Sequence, residues 1–178
     1  NFLDPVLLDT LNYFVDIALA KNSNDAECKT KKLYLSRAGG VRSISNNAEI
    51  SKILLDKGFS IPNLYAMSFL DQVRLFKSAD IIIAPHGSAL SNIIFCNEGT
   101  KILELFPEGY ATNCFGVISL IKKHNYTYLV GCDPKKNTST VVDFHCSSMN
   151  SVLLWIQADY YINTEILLNW LESLPSTE

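Results

Sequence analysis

With 178 residues, 48% of them hydrophobic, the chain is long enough for one well-buried core and short for two. Its net charge of −3 excludes the basic face that general nucleic-acid or membrane-surface binding needs. No stretch reaches the roughly 18 consecutive apolar residues of a membrane span, and no charged-then-apolar signal peptide opens the chain.

In chain order, residues 3–20 set Leu7, Leu8, Leu11, Phe14, Val15, Ala18 and Leu19 at helical spacing, with Pro5 in the first turn after Asp4. A polar stretch, 21–31, reads as loop or linker. Residues 32–36 predict a short strand, followed by the loop Arg37-Ala-Gly-Gly-Val-Arg42. Asn46 with Glu49 three residues on resembles a capping box that starts a helix running to Lys57, and Gly58 stops it. Strands are then expected at 59–65, 81–84, 101–106 and 126–131. Helices are expected from Ser68 to Lys77, from Ser88 to Phe95 and over 111–123. Residues 133–150, rich in Ser, Thr, Asn and Lys, read as a variable loop, and 153–162 suits strand or helix. Asn163 caps a closing helix that ends before Pro175.

Apolar strands alternating with helices of about ten residues give β-α-β crossovers, hence an α/β, Rossmann-like doubly wound parallel sheet with both faces covered. The domain reading is a leading helix and linker over 1–31 and a nucleotide-binding domain over 32–178. The chain opens on Asn1 in helical character, which reads as a piece of something longer.

The segment from Ile81 to Phe95 carries the densest information. An apolar strand delivers His86 into a tight loop, Gly87 lets the backbone turn or approach a ligand closely, and Ser88 is placed to cap a helix whose N–H groups attract an anion. His86 itself is either a structural hydrogen-bonder or a ligand contact, and the carboxyl edge of a sheet favours the latter. Asn92, one turn on, reads as bracing the loop.

Arginine is scarce: there are twelve lysines and three arginines, and two of the three, Arg37 and Arg42, share one loop. Guanidiniums present planar paired donors and glycines bare backbone N–H groups, so Ser36-Arg37 and Arg42 suit a diphosphate; the alternative is a solvated loop with surface arginines. Gly39-Gly40 lacks the G-x-G-x-x-G pattern of dinucleotide binding, and a P-loop is absent. Neither is there a Gly-x-Ser-x-Gly element. Glu104 lies inside an otherwise apolar strand, where an unpaired carboxylate is costly. It needs a ligand hydroxyl, such as those of a ribose, or a basic or amide partner.

Cys28, Cys96, Cys114, Cys132 and Cys146 show no C-x-x-C pair and no zinc-type His spacing, so no metal site is expected from them. A disulfide framework is not needed at this size. Little Arg with much Asn and Lys suggests an A/T-rich genome and the motif style a bacterial one, so the expectation is a cytoplasmic protein with reduced cysteines. Asn125-Tyr-Thr127 and Asn137-Thr-Ser139 would be glycosylation sequons in the alternative, an ER or Golgi lumen.

Eight short motifs follow one another with sensible gaps between about 32 and 131: Tyr34-Leu-Ser-Arg37, Arg42-x-Ile-x-Asn46, Glu49-Ile, Gly58-Phe59, Ser68-Phe-x-x-Gln72, Phe76-x-x-Ala79, Pro85-His-Gly-Ser-Ala-Leu-x-Asn92 and Gly99-Thr-Lys-x-x-Glu104. In this order they resemble glycosyltransferase family 61. The resemblance implies the carboxyl-terminal, donor-binding domain of a GT-B-type enzyme that transfers a sugar from a UDP-sugar, with inversion and without metal, to a glycan or polysaccharide. An amino-terminal acceptor domain would lie outside this chain. Carried onto these positions, Ser36, Arg37, Arg42, Gly87, Ser88 and Ala89 would meet the donor diphosphate, Glu104 the ribose or sugar, and His86 would be the candidate base. The absence of Asp-x-Asp agrees with metal-free chemistry, and no cofactor is expected. The rival reading is a noncatalytic nucleotide-binding or assembly domain that retains the fold.

Overall fold

The computed structural model describes residues 4–22, 30–37, 42–108, 110, 112–132, 140–143 and 159–174. Branched apolar runs form the sheet: β1 (Lys32–Tyr34), β2 (Ile81–Pro85), β3 (Lys101–Phe106) and β4 (Asn125–Val130) pair in parallel in chain order. Every residue of β2 is buried, as is all of β3 after Lys101, which is the pattern of central strands covered on both faces. β5 (Thr140–Asp143) then closes the sheet antiparallel to β4. The wholly parallel sheet expected from the sequence thus carries one antiparallel edge. The reading of 133–150 as loop missed a β-branched Thr-Val-Val run set among turn-forming residues; the rest of that stretch lies outside the described residues.

The two-residue period of the strands sorts their side chains into two layers. Leu33, Leu35, Ile82, Ala84, Ile102 and Tyr126 share one core with Val15 of α1 (Pro5–Lys21), Phe76 of α3 (Phe69–Ser78), Ile93 of a 3-10 helix (Ser88–Phe95) and Ile118 of α4 (Cys114–Ile121). Tyr34, Ile81, Ile83, Leu103, Leu105 and Leu129 share the other with Ile50 and Leu54 of α2 (Asn47–Asp56) and Leu167 of α5 (Thr164–Ser173). The sheet is therefore doubly wound. Each such aliphatic or aromatic side chain, fully buried, contributes about 1.5–3 kcal/mol before conformational entropy is counted. Among the described residues no helix is long and apolar enough to cross a membrane.

The expected strand at 59–65 is reduced to one bridge. Ser60 donates to Lys32 O and accepts from Tyr34 N, both at 2.9 Å, which places it parallel to Leu33 on the outer edge of β1. Pro62 then withholds an N–H from any longer ladder, and the chain turns into a short 3-10 helix at Leu64–Ala66. The topological consequence matters for function. The chain leaves β1 for the Ser60 edge and returns through α3 to β2 on the opposite side, so the strand order reverses between β1 and β2. Open α/β sheets bind ligands beyond the carboxyl ends of their strands at such a reversal.

The helix ends explain the boundaries. Asp4 accepts from Val6 N at 2.9 Å and starts α1, Ser68 accepts from Asp71 N at 3.2 Å and starts α3, and Asn163 accepts from Glu165 N and Ile166 N to start α5. Gly58, at φ 82°, follows α2 in the left-handed region that suits glycine. The capping box expected at Asn46 does not form. Its amide donates to Ile162 O at 2.8 Å and accepts from Ile162 N at 3.1 Å, tying the start of α2 to the carboxyl-terminal segment. The helix expected to begin with Ser88 is 3-10 rather than α, and Gly87, not Ser88, stands at its cap position. The leading helix packs on the domain through the Lys77–Asp16 ion pair at 2.6 Å and the Asn12 amide on Ile94 O at 3.4 Å. Of residues 153–162, only 159–162 are described, and Tyr160 and Tyr161 there bridge Ile44 and Cys132.

Candidate functional site

Four parts of the chain meet at the carboxyl edge of β1, β2 and β3. β1 hands over to Ser36 and Arg37, β2 to His86 and Gly87, the segment after β3 supplies Tyr110, and Arg42 comes in from the loop after β1. Arg37 donates from Nη1 to the backbone oxygen of His86 at 3.4 Å. Arg42 lies with its guanidinium carbon 4.7 Å from the centre of the Tyr110 ring. Arg42 also has φ 64°, an unusual conformation for a non-glycine residue and one that concentrates at ligand sites. Residues 38–41, including Gly39 and Gly40, lie outside the described residues.

Ser36 turns toward α2. Its hydroxyl donates to Asn47 Oδ1 at 3.1 Å, and Tyr34 donates to the same oxygen at 2.6 Å. Burial lifts the Tyr34 phenol above its usual range, so it remains a donor. Gly87 has an extended backbone at φ 170°, which any residue adopts. A Cβ there would meet only ordinary contacts, Arg37 Nη1 at 3.8 Å and Pro85 O at 3.9 Å. Ser88 is exposed and Ala89 half-buried at the start of the 3-10 helix. Asn92 reaches away from the loop: it donates to Gln72 Oε1 at 2.9 Å, and Gln72 in turn holds Leu64 O at 3.0 Å. It thereby locks the 3-10 helix to α3 and to the turn that precedes it.

His86 is the centre of the arrangement. Its backbone N–H continues the ladder to Leu105 O at 2.9 Å, which fixes the side chain beside Glu104. Nδ1 bonds to one Glu104 oxygen, and Tyr126 donates its hydroxyl to the other. The Phe106 ring stacks on the imidazole at 5.1 Å and 20°, and Phe115 lies at 5.3 Å. Tyr110 Oη stands 3.4 Å from Nε2. Glu104 is 0% exposed, so burial raises its carboxyl above the ordinary range, opposed first by the hydrogen bond and charge of His86 and then by the bond from Tyr126. Of the two kinds of partner this carboxylate called for, ligand hydroxyl or basic group, the structure supplies the basic one.

Tyr110, Tyr126, Phe106 and Phe115 were not singled out in the sequence. Tyr126 sits on β4 opposite Ile102, diagonal to Glu104, and register of that kind is set by the sheet as a whole rather than by local pattern. Tyr110 lies four residues beyond the end of β3 and carries no motif of its own. Among the described residues, no three His, Cys, Asp or Glu side chains gather in a way that could hold a metal ion.

Residues 5–103 match the family model described as Glycosyltransferase 61, a span that takes in α1 and runs to β3. Over 93 residues, 49% of this chain, the sequence is 30% identical to the beta-1,2-xylosyltransferase XAX1 of Oryza sativa subsp. japonica. The matched segment covers 16% of that relative's own length.

Proposed function

From the chain's membership of glycosyltransferase family 61, we propose that it binds a UDP-sugar and serves inverting, metal-independent transfer of the sugar to a glycan or polysaccharide acceptor. The observation that carries this reading is the placement of two guanidiniums at the strand-order reversal, Arg37 on the His86 backbone oxygen and Arg42 over Tyr110, whose hydroxyl meets His86. Two guanidiniums there offer the planar donors that a diphosphate accepts, and a leaving diphosphate gains negative charge as the glycosidic bond breaks. With no Asp-x-Asp to hold a metal, these cations carry that task, helped by the start of the 3-10 helix at Ser88 and Ala89. Glu104, engaged by His86 and Tyr126, is assigned to the imidazole and not to the ribose.

The fold is read as the donor half of a GT-B arrangement, with the acceptor held by another domain. The relative's printed activity makes UDP-xylose the first donor to try. Titration calorimetry of the chain with UDP, GDP and NAD tests the reading. UDP should bind selectively, and Arg37→Ala should weaken it at least tenfold. Absence of binding by all three overturns the proposal. Slow hydrolysis of UDP-xylose by the chain alone would mark it as catalytic rather than a binding module.

A further inference from the structure

We propose that Glu104 is a positioning residue that sets the tautomer of His86, so that Nε2 takes the proton from the acceptor hydroxyl during transfer. The inference rests on the donor-site reading above: Arg37 donates to the His86 backbone oxygen, so a diphosphate held by Arg37 would lie next to the imidazole. Glu104 meets His86 Nδ1 with one oxygen and accepts from Tyr126 with the other, and as a carboxylate it offers Nδ1 only an acceptor. With Nδ1 carrying the proton, Nε2 holds a lone pair, and its partner among the described residues is the Tyr110 hydroxyl at 3.4 Å, the position an acceptor hydroxyl would take in its place. His86 is 11% exposed at its side chain, stacked on Phe106 and flanked by Phe115, so its ring has no freedom to present the other nitrogen.

The step balances as follows. The acceptor O–H bond breaks and its proton passes to Nε2. The oxygen's electron pair forms the new bond to the anomeric carbon, and the bond from that carbon to the diphosphate breaks, its pair leaving with UDP. The imidazolium then stands against the Glu104 carboxylate. A surface histidine would supply neither the fixed tautomer nor this counter-charge. The charged and titratable groups around the ring are Glu104 on β3, Tyr126 behind it on β4, Tyr110 after β3, Arg37 at the His86 carbonyl, Arg42 across Tyr110, and Cys114 at the start of α4.

The test uses two readouts that a purely structural carboxylate would not move together. Nitrogen-15 NMR of the histidine side chains, with the His86 resonances identified from His86→Gln, should show the Nδ1–H form in the wild-type chain. In Glu104→Gln, Tyr126 donates to the amide oxygen and turns the NH₂ group toward Nδ1, so the Nε2–H form should appear. The same variant should bind UDP within about threefold of wild type while kcat for UDP-xylose turnover falls by about 10²–10⁴-fold. Its acidic limb in the pH profile should disappear. The wild-type spectrum alone is decisive where the variant fails to fold: an Nε2–H tautomer there overturns the proposal, as does a Glu104→Gln chain with unchanged kcat. Loss of UDP binding in the wild type would instead strike the donor reading, leaving the tautomer result to stand by itself.

Discussion

Arg42 rests over the ring of Tyr110 at 4.7 Å, and the hydroxyl of that ring reaches to within 3.4 Å of His86 Nε2. One aromatic side chain therefore links a cation proposed for the diphosphate to the imidazole proposed as base. The ring also offsets part of the strain that φ 64° imposes on Arg42, because a guanidinium stacked on an aromatic face gains about 0.5–2 kcal/mol.

This arrangement separates two substitutions at one position. Tyr110→Phe keeps the ring and should leave UDP affinity unchanged, whereas Tyr110→Ala removes the platform and should weaken UDP by about 2- to 30-fold, the range that a cation–π contact of that strength allows. Calorimetric dissociation constants for the two variants are the check. Equal affinities in wild type and Tyr110→Ala would show that Arg42 finds the diphosphate without the ring.

Much of this architecture was legible because it depends on local chemistry. The apolar runs of β2 and, but for Lys101 and Glu104, of β3 have the character of central strands, and Asp4, Ser68 and Asn163 start their helices by accepting from backbone N–H groups one turn in. The clustering of Arg37 and Arg42 in a chain poor in arginine drew attention to two residues that lie, one at the His86 backbone oxygen and the other over Tyr110, near the same imidazole. What sequence could not carry is register. Nothing local says that Tyr126 falls diagonal to Glu104, that Asn46 clamps Ile162 as well as meeting Glu49, or that the Ser88 helix is 3-10. Each follows from how strands and segments more than ten residues apart align, and the short β-branched β5 was hidden by its turn-forming neighbours for the same reason.

Stability should fall with acidification through His124. The residue is buried, and burial, with a smaller contribution from the Lys122 charge, draws its pKa down from 6.5 to about 4 against an opposing backbone contact at Cys96. Between those values the unfolded chain binds a proton that the folded chain refuses. Stability is therefore complete above about pH 6.5 and is lost as pH falls toward 4, by up to about 3 kcal/mol. Glu104, whose carboxyl is raised by burial, acts in the opposite sense, losing stability as pH rises through its folded value. The His124 component is thus best read as a difference. Urea midpoints at pH 7 and pH 5 should differ less in His124→Phe than in wild type, and an identical pH dependence in both would refute the assignment.

Gly131 supplies the sharpest steric prediction. It directly follows β4, its N–H donates to Phe106 O at 2.7 Å, and the carboxyl-terminal segment closes over it. A Cβ at this position would lie 2.5 Å from Tyr160 Cδ2, 2.7 Å from the Tyr161 backbone oxygen and 3.1 Å from Ile162 Cδ1. A side-chain tip can swing aside, but the Tyr161 carbonyl cannot: Tyr161 and Cys132 exchange backbone hydrogen bonds at 2.9 and 3.0 Å across the same contact. Gly131→Ala must therefore push the whole segment 159–162 outward. That movement would strain the Tyr160 hydroxyl on Leu105 O and the Asn46 clamp on Ile162 together. Overpacking of this kind costs about 1–3 kcal/mol, so the variant should unfold at a clearly lower urea concentration than wild type. Gly99→Ala, at φ 82° with nothing within 4 Å of its Cβ, makes the control. Its cost is backbone strain without a clash, so it separates the two effects, and a Gly131→Ala chain as stable as wild type would mean that the closing segment does not bear on β4 in solution.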